Sequence, residues 1–317
     1  MSKSHSAPLL SICIPCFKRL EQVRNTLESI YIDNSDVDTS TYEVVLSDND
    51  PDCELKVVVA EFADRTNLRY IPTSCEGFLN SYYALSYGKG DLLKLHNSQN
   101  IIKKGMLAEI MKLVGTHITH KPLIYTSNGL LENFRVCQFD NFESYMSALS
   151  YWSSWSGGMT IWREDFEKLG KIDLNPLFPH TSVMLTQHNK SLYVISDLIY
   201  YDVQRIGKRG GHNKFEAFTR HYPSLIVQSY NEGHISLKTK DKIFKGVYGE
   251  FLPSLLFNKY ILRIETFESK GFKENCRLYF PKKAYWTAWL NTLFVPFKML
   301  SRKIRRVIVE ICNKQKS

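Results

Sequence analysis

The N-terminal third of the chain alternates short apolar runs with segments of helical spacing. Leu9 to Ile14 is a continuous apolar run with the length of a buried strand. Leu20 to Tyr31 places Leu20, Val23, Leu27 and Ile30 on one helical face. Tyr42 to Ser47 reads as a second strand and ends in the turn-rich acidic cluster Asp48-Asn49-Asp50-Pro51-Asp52. Leu55 to Phe62 reads as helix, Leu68 to Ile71 as strand, Gly77 to Tyr87 as helix, Asp91 to Leu95 as strand and Met106 to Val114 as helix. Such alternation predicts an α/β fold with a mostly parallel sheet and helices on both faces. Ligands of these sheets bind beyond the carboxyl ends of the strands. The residues after Ile14, Ser47 and Leu95 are therefore where chemistry is expected.

From Lys121 to Tyr201 the pattern loosens. An aromatic, small-residue loop, Tyr151 to Gly158, leads into a strand at Met159 to Trp162. Arg163 to Leu169 has helical spacing and stops at Gly170, and Leu192 to Ile195 is a further short strand. Gln204 to Asn213 is a glycine-rich basic loop, and residues 216–275 read as mainly helical. The tail, Ala284 to Ser317, repeats Trp286, Trp289, Leu290, Leu293, Phe294, Phe297, Leu300, Ile304, Val307, Ile308 and Ile311 at helical spacing among Lys and Arg residues. That is the pattern of a helix lying in a membrane interface, with Pro296 breaking or bending it. The competing reading is a helix packed on its own domain.

Composition narrows the classes. A chain of 317 residues, 44% apolar and 23% charged, is a folded protein with room for one large α/β domain and an appendage. The net charge of +9 attracts phosphates. No zinc-finger spacing, basic zipper or aromatic ribonucleoprotein pattern is present, so nucleic acid is not an expected partner. The basic excess near the C-terminus points to an anionic membrane surface instead. The polar start, Met1 to Pro8, carries no apolar stretch of the signal-peptide kind, and no apolar run is long enough to span a bilayer. Seven scattered cysteines suit a reducing compartment. The expected location is cytoplasmic, peripheral on the inner face of the cytoplasmic membrane. Cys13 and Cys16 have a dithiol spacing, but Cys13 lies in an apolar strand pattern rather than at a helix N-terminus, where a thiol pKa is lowered.

Four motifs carry a family resemblance. Ser11-Ile12-Cys13-Ile14-Pro15-Cys16-Phe17-Lys18-Arg19 resembles the opening strand and loop of family 2 glycosyltransferases, S-I-I-I-P-T-Y-N-R. Glu43 to Asp52 resembles their E-I-I-I-S-D-N-x-S-x-D motif. The stretch Gly77 to Asp91, with Asn80 leading, is similar to N-x-x-x-A-L-x-x-A-x-G-D. Trp162 to Asp173 is similar to R-R-x-x-F-E-K-L-G-G-F-D. The four follow the family's order over roughly residues 8 to 200.

The resemblance implies a Rossmann-like GT-A fold with a helical C-terminal extension. It also implies inverting transfer of a sugar from a nucleotide-sugar donor. Asp48 matches the aspartate that contacts the base; a carboxylate at a strand's carboxyl end can accept from a base N–H. Pro15, Cys16 and Phe17 match the loop around base and ribose, and Arg19, Asn49 and Asn80 fall in the same motifs. Residues 1–120 are then a nucleotide-sugar-binding half and 121–215 an acceptor-binding half of one catalytic domain. Residues 216–283 are a helical extension, and 284–317 a basic membrane-associating tail. The expected role is transfer to a growing, lipid-linked surface polysaccharide such as lipopolysaccharide or capsule, so the acceptor is a glycan or lipid-linked oligosaccharide. The alternative is a catalytically silent sugar-nucleotide or glycan-binding protein.

Two departures from the family pattern matter. The family's D-x-D falls on Ser98-Gln99-Asn100, without a carboxylate. Mg²⁺ and Mn²⁺ prefer hard anionic oxygens, so Ser98 and Asn100 are assigned to the nucleotide sugar and no metal ligand is assigned; a divalent Mn²⁺ or Mg²⁺ is the one cofactor left open, without the usual aspartates to hold it. Either side chains meet the diphosphate charge, or the donor differs, or catalysis is lost. Arg205, Lys208 and Arg209 in the basic loop, with Lys103 and Lys104 after the altered motif, are the candidate cations. Second, the family's acidic general base is replaced by the run Phe178-Pro179-His180-Thr181-Ser182. His180 is the candidate base, with Asp173 as the fallback.

Overall fold

A computed structural model describes residues 7–204 and 211–314. The chain divides into two compact units: Met1–Asn128 with Val136–Asn141 and Trp155–Arg205, and Gly129–Arg135 with Phe142–Ser154 and Ile206–Ser317.

The first unit is built on a five-stranded sheet of order β3-β2-β1-β4-β8: β1 (Leu10–Cys16), β2 (Tyr42–Asp48), β3 (Leu68–Pro72), β4 (Leu92–Leu95) and β8 (Thr160–Trp162). The first four are parallel, and β8 closes one edge antiparallel to β4. Chain direction across the sheet reverses between β1 and β4, which opens a crevice at their carboxyl ends. Two smaller assemblies flank the sheet. β5 (Asn100–Ile102) and β10 (Tyr201–Val203) form an antiparallel ribbon. β6 (Leu123–Thr126), β9 (Tyr193–Ser196) and β7 (Val136–Phe139) form a second sheet.

One face of β1 and β2, with Leu10, Ile12, Ile14, Val44 and Leu46, packs on the apolar sides of α1 (Leu20–Tyr31) and α4 (Met106–His117). Val23, Leu27 and Ile30 of α1 are completely buried there, and each contributes about 1.5–3 kcal/mol. The short α2 (Lys56–Ala60) adds Val58 to the same core. The other face carries α3 (Asn80–Ser86), which packs on β1, β2 and β4. Gly90 lies so close to β1 that a Cβ would sit 2.6 Å from the Ser11 nitrogen. The hydroxyl of Ser11 accepts from Gly90 N–H and donates to Glu43 at 2.6 Å, which locks the G-x-G-D segment onto the sheet.

The second unit is helical apart from its loops. After α5 (Phe142–Leu149), which belongs here, α6 (Arg163–Glu167) and α7 (Pro179–Leu185) return to the first unit. Helices α8 (Lys214–Glu216) and α9 (Tyr222–Asn231) are joined by the π-helical turn Ala217–His221. Helices α10 (Leu237–Gly246) and α11 (Leu252–Leu256) are joined and extended by the π-helical turns Val247–Phe251 and Phe257–Ile261. Then follow α12 (Phe272–Tyr279), α13 (Ala284–Thr292) and α14 (Val295–Lys314). Pro296 stands in the first turn of α14, so it ends one helix and begins another, as its missing N–H requires. Ala284, Ala288 and Thr292 face inward, while Trp286 (63% exposed), Leu290, Leu293, Phe294, Phe297 (73%), Leu300, Ile304, Ile308 and Ile311 face outward. Arg302 and Arg305 both bind Glu132, at 2.7 and 2.5 Å. These two arginines therefore dock α14 on its own unit. No helix among the described residues is long and apolar enough to cross a membrane.

Candidate functional site

The sequence-assigned residues Pro15, Cys16, Phe17, Arg19, Asp48, Asn49, Asn80, Ser98 and Asn100 converge at the carboxyl ends of β1, β2 and β4. Cys16 and Asp48 are register partners at the last rung of β1 and β2. Asn80, at the start of α3, ties these ends together. Its amide donates to Cys16 O (3.1 Å), Ser47 O (2.9 Å) and Asn49 Oδ1 (3.0 Å), and its Oδ1 accepts from the Ser47 hydroxyl. Asn80 thus holds the site's framework. Asn49 in turn donates to the carbonyls of Cys75 and Gly77 at 3.2 Å. Phe17 is 54% exposed just beyond β1.

Asp48 is fully buried. Its carboxylate accepts from Tyr70 Oη at 2.8 Å and from the Asp50 N–H at 3.1 Å. Burial, reinforced by Asp48, pushes the Tyr70 hydroxyl well above its usual pKa, so it stays a donor. A carboxylate offers about four acceptor positions, which leaves capacity for a further N–H.

After β4 the chain turns through His96-Asn97-Ser98-Gln99-Asn100. The Thr26 hydroxyl of α1 donates to the carbonyls of Ser98 (3.1 Å) and Asn100 (3.2 Å) and fixes the turn. Arg19 Nη1 donates to Gln99 Oε1 at 3.1 Å, across the crevice between β1 and β4. Asn100 is 1% exposed, and its side-chain oxygen and nitrogen have no partner among the described residues. Gln204, which follows β10, donates to Gln99 O through its backbone N–H (2.9 Å) and to Gln22 O through its side chain (2.9 Å). The stem of the basic loop is therefore fixed beside this turn. Arg205, Lys208 and Arg209 themselves lie outside the described residues.

The divalent ion of the resembling family does not fit these residues. Ser98, Gln99 and Asn100 offer neutral oxygens, and no group of three His, Cys, Asp or Glu side chains that could hold a metal occurs among the described residues. Lys104 lines a shallow depression with Asp33, Ser35 and Asp36 at the C-terminal end of α1, away from the crevice. His180 is buried on α7, which rests on α3, and Asp173 is exposed in the loop between α6 and α7. Cys13 and Cys16 occupy one strand at an odd separation, so their side chains point to opposite faces. Burial pushes both thiols far above their usual range. That removes the dithiol reading.

Two polar residues of β4 and its exit were not anticipated. Lys94 is buried, donating to Thr126 Oγ1 and Gly157 O at 2.9 Å each. Burial lowers its pKa to about 7. His96 is buried with its Nε2 2.8 Å from Asn100 O. Burial, and then Lys94, lower its pKa to about 3, so it is neutral. The alternating run Leu93-Lys94-Leu95-His96 was the available signal: positions two apart share one sheet face.

No protein-family profile and no curated protein sequence matches the chain. Solved structures do. Residues 1–349 of S. aureus TarS in complex with UDP align over 97% of this chain and 92% of that one, at 16% identity and TM-score 0.56. A second structure of residues 1–349 of S. aureus TarS aligns over 90% of this chain and 78% of that one, at 17% identity and TM-score 0.51. The fold is a GT-A-like glycosyltransferase fold: a mixed α/β unit with a parallel central sheet flanked by helices, and a helical C-terminal part.

Proposed function

We propose that this chain is an inverting, nucleotide-sugar-dependent glycosyltransferase that extends a lipid-linked surface glycan at an anionic membrane. The observation that carries the reading is the convergence of Cys16, Phe17, Asp48, Asn49 and the Ser98–Asn100 turn at the switch crevice of a GT-A-like sheet. In that arrangement Asp48 accepts from the base, Phe17 covers base or ribose, and the turn after β4 faces the diphosphate. The TarS fragment was solved with UDP, which supports a nucleoside diphosphate as the ligand class here. The acceptor hydroxyl attacks the anomeric carbon while His180, or Asp173 in its place, takes the hydroxyl proton. The bond from that carbon to the diphosphate oxygen breaks, and the nucleoside diphosphate leaves with the bonding pair. Arg205, Lys208 and Arg209 meet the leaving charge from a loop whose stem is fixed at Gln99.

The outward apolar face of α13 and α14 supports the membrane part. The sequence of α14 carries Lys298, Lys303, Arg306 and Lys314 besides the two docked arginines, against the single acid Glu310. Two copies of so basic a helix repel each other, whereas anionic headgroups attract it.

The test is a donor panel in which nucleoside diphosphate release is followed with lipid-linked glycan acceptors, and product configuration is read by NMR. One donor should be consumed with inversion at the anomeric carbon. Retention of configuration would refute the mechanism. Binding of a nucleotide sugar without any transfer would favour the silent binder.

A further inference from the structure

A cation already stands at the altered metal motif. Arg19 leaves β1 on one side of the switch crevice, and Gln99 stands in the turn after β4 on the other. The two side chains meet at 3.1 Å. We propose that the Arg19 guanidinium takes the place of the divalent ion and binds the diphosphate of the donor. This rests on the nucleotide-sugar reading given above.

The donor set explains why an arginine would serve here and a metal would not. Ser98, Gln99 and Asn100 carry no anionic oxygen, so a divalent ion finds no charged ligand among them. The same neutrality suits a guanidinium. The Gln99 carbonyl is neutral, so it orients the guanidinium beside the turn without itself cancelling the charge. Arginine grips phosphate oxygens in bidentate fashion, a geometry that lysine cannot reproduce.

Among the described residues, Lys18 and Lys104 face other groups. Lys18 pairs with Asp50 and Asp52, at 3.9 and 3.6 Å. Lys104 keeps company with Asp33 and Asp36 at the far end of α1, about 18 Å from Arg19 by helical rise. The backbone adds a second indication. Lys18 and Arg19 are consecutive left-handed residues, at φ 57° and 62°, a conformation that non-glycine residues hold at a cost and that gathers at ligand sites. A third indication is Asn100, whose buried amide has neither its oxygen nor its nitrogen bonded among the described residues. A buried amide of that kind calls for a polar ligand group or a water.

The experiment titrates the purified chain with UDP, GDP, CDP and ADP, each beside its own nucleoside, in the presence of chelator. The wild type should bind one diphosphate more tightly than its nucleoside. Arg19→Ala should lose about ten- to hundredfold in diphosphate affinity, with nucleoside affinity unchanged. Arg19→Gln, which can keep a neutral contact with Gln99, should lose as much, and Arg19→Lys less. Far-ultraviolet dichroism and melting temperature matching the wild type confirm folding of this exposed loop variant. Equal diphosphate affinity in Arg19→Ala and wild type would overturn the proposal and leave the nucleotide reading standing. So would wild-type diphosphate binding that requires added Mn²⁺. A wild type that binds neither diphosphate nor nucleoside would overturn both.

Discussion

Asn80 joins three pieces of the crevice that are distant in sequence: the end of β1, the end of β2 and the acidic turn. Alanine there would leave the buried carbonyls of Cys16 and Ser47 without this donor. Each buried polar group so deprived costs about 1–3 kcal/mol. Asn80→Ala should therefore melt several degrees lower and bind nucleotide more weakly; an unchanged melting temperature would show that the tie is dispensable. In the proposed function Asp48 has the more direct role. Asp48→Ala should abolish most base-dependent affinity while the sheet persists, and calorimetry on the folded variant would read it. Unchanged affinity for every nucleotide would remove Asp48 from the site. At this scale the motifs disclosed which residues gather, because strand ends can be read from apolar runs. They did not disclose partners. That Tyr70 donates to Asp48, or that Arg19 reaches Gln99, depends on loop conformations with left-handed residues that periodicity does not encode.

The strands and helices of the first unit follow the hydrophobic pattern closely. Helix α1 spans Leu20–Tyr31, as its spacing predicts, because its buried residues recur with the helical period. Strands β1 and β2 run one or two residues further than their apolar runs, through Pro15-Cys16 and Asp48, since parallel neighbours pair with them to the end. The short strands β5, β6, β7 and β10 went unread: three- and four-residue pairings in polar or mixed sequence give no period to detect. Strand β4 carries the pair with the clearest pH consequence. His96 has a folded pKa of about 3, against 6.5 when unperturbed. Between those values the unfolded chain takes up a proton that the folded chain refuses, so stability falls as pH falls through that window. The slope contributed is at most about 1.4 kcal/mol per pH unit. His96→Gln, which can still donate to Asn100 O, should show a shallower acid limb in denaturant melts between pH 6 and 4. Parallel limbs for wild type and variant would show that His96 titrates normally.

At the scale of the whole molecule, two ligands are proposed for two units: a nucleotide sugar for the α/β unit and an anionic membrane for the helical one. The helices of the tail were legible because their apolar residues recur at helical spacing. Illegible was the docking of α14 through Arg302 and Arg305 on Glu132, a contact between residues 170 and 173 positions apart. In the proposed membrane docking it reduces the charge available to lipid, so apolar insertion would carry a larger share of binding than a count of basic residues suggests. Phe297→Asp combined with Leu293→Asp should release the protein from anionic liposomes, and raised salt should weaken the wild type only in part. Equal liposome binding by the double variant would make this face a packing surface.

In the proposed function a nucleoside diphosphate, carried by a sugar donor, binds at the crevice between β1 and β4 without a metal. The most direct measurement is the melting temperature of the full chain, in chelator, against a panel of nucleoside diphosphates and nucleotide sugars. A ligand at a hundredfold its Kd stabilises the folded state by about 2.7 kcal/mol, which raises the midpoint by roughly 4 °C in a protein of this size. One nucleotide series should produce such a shift in the wild type and fail to do so in Asp48→Ala. No shift with any nucleotide or nucleotide sugar would contradict the account.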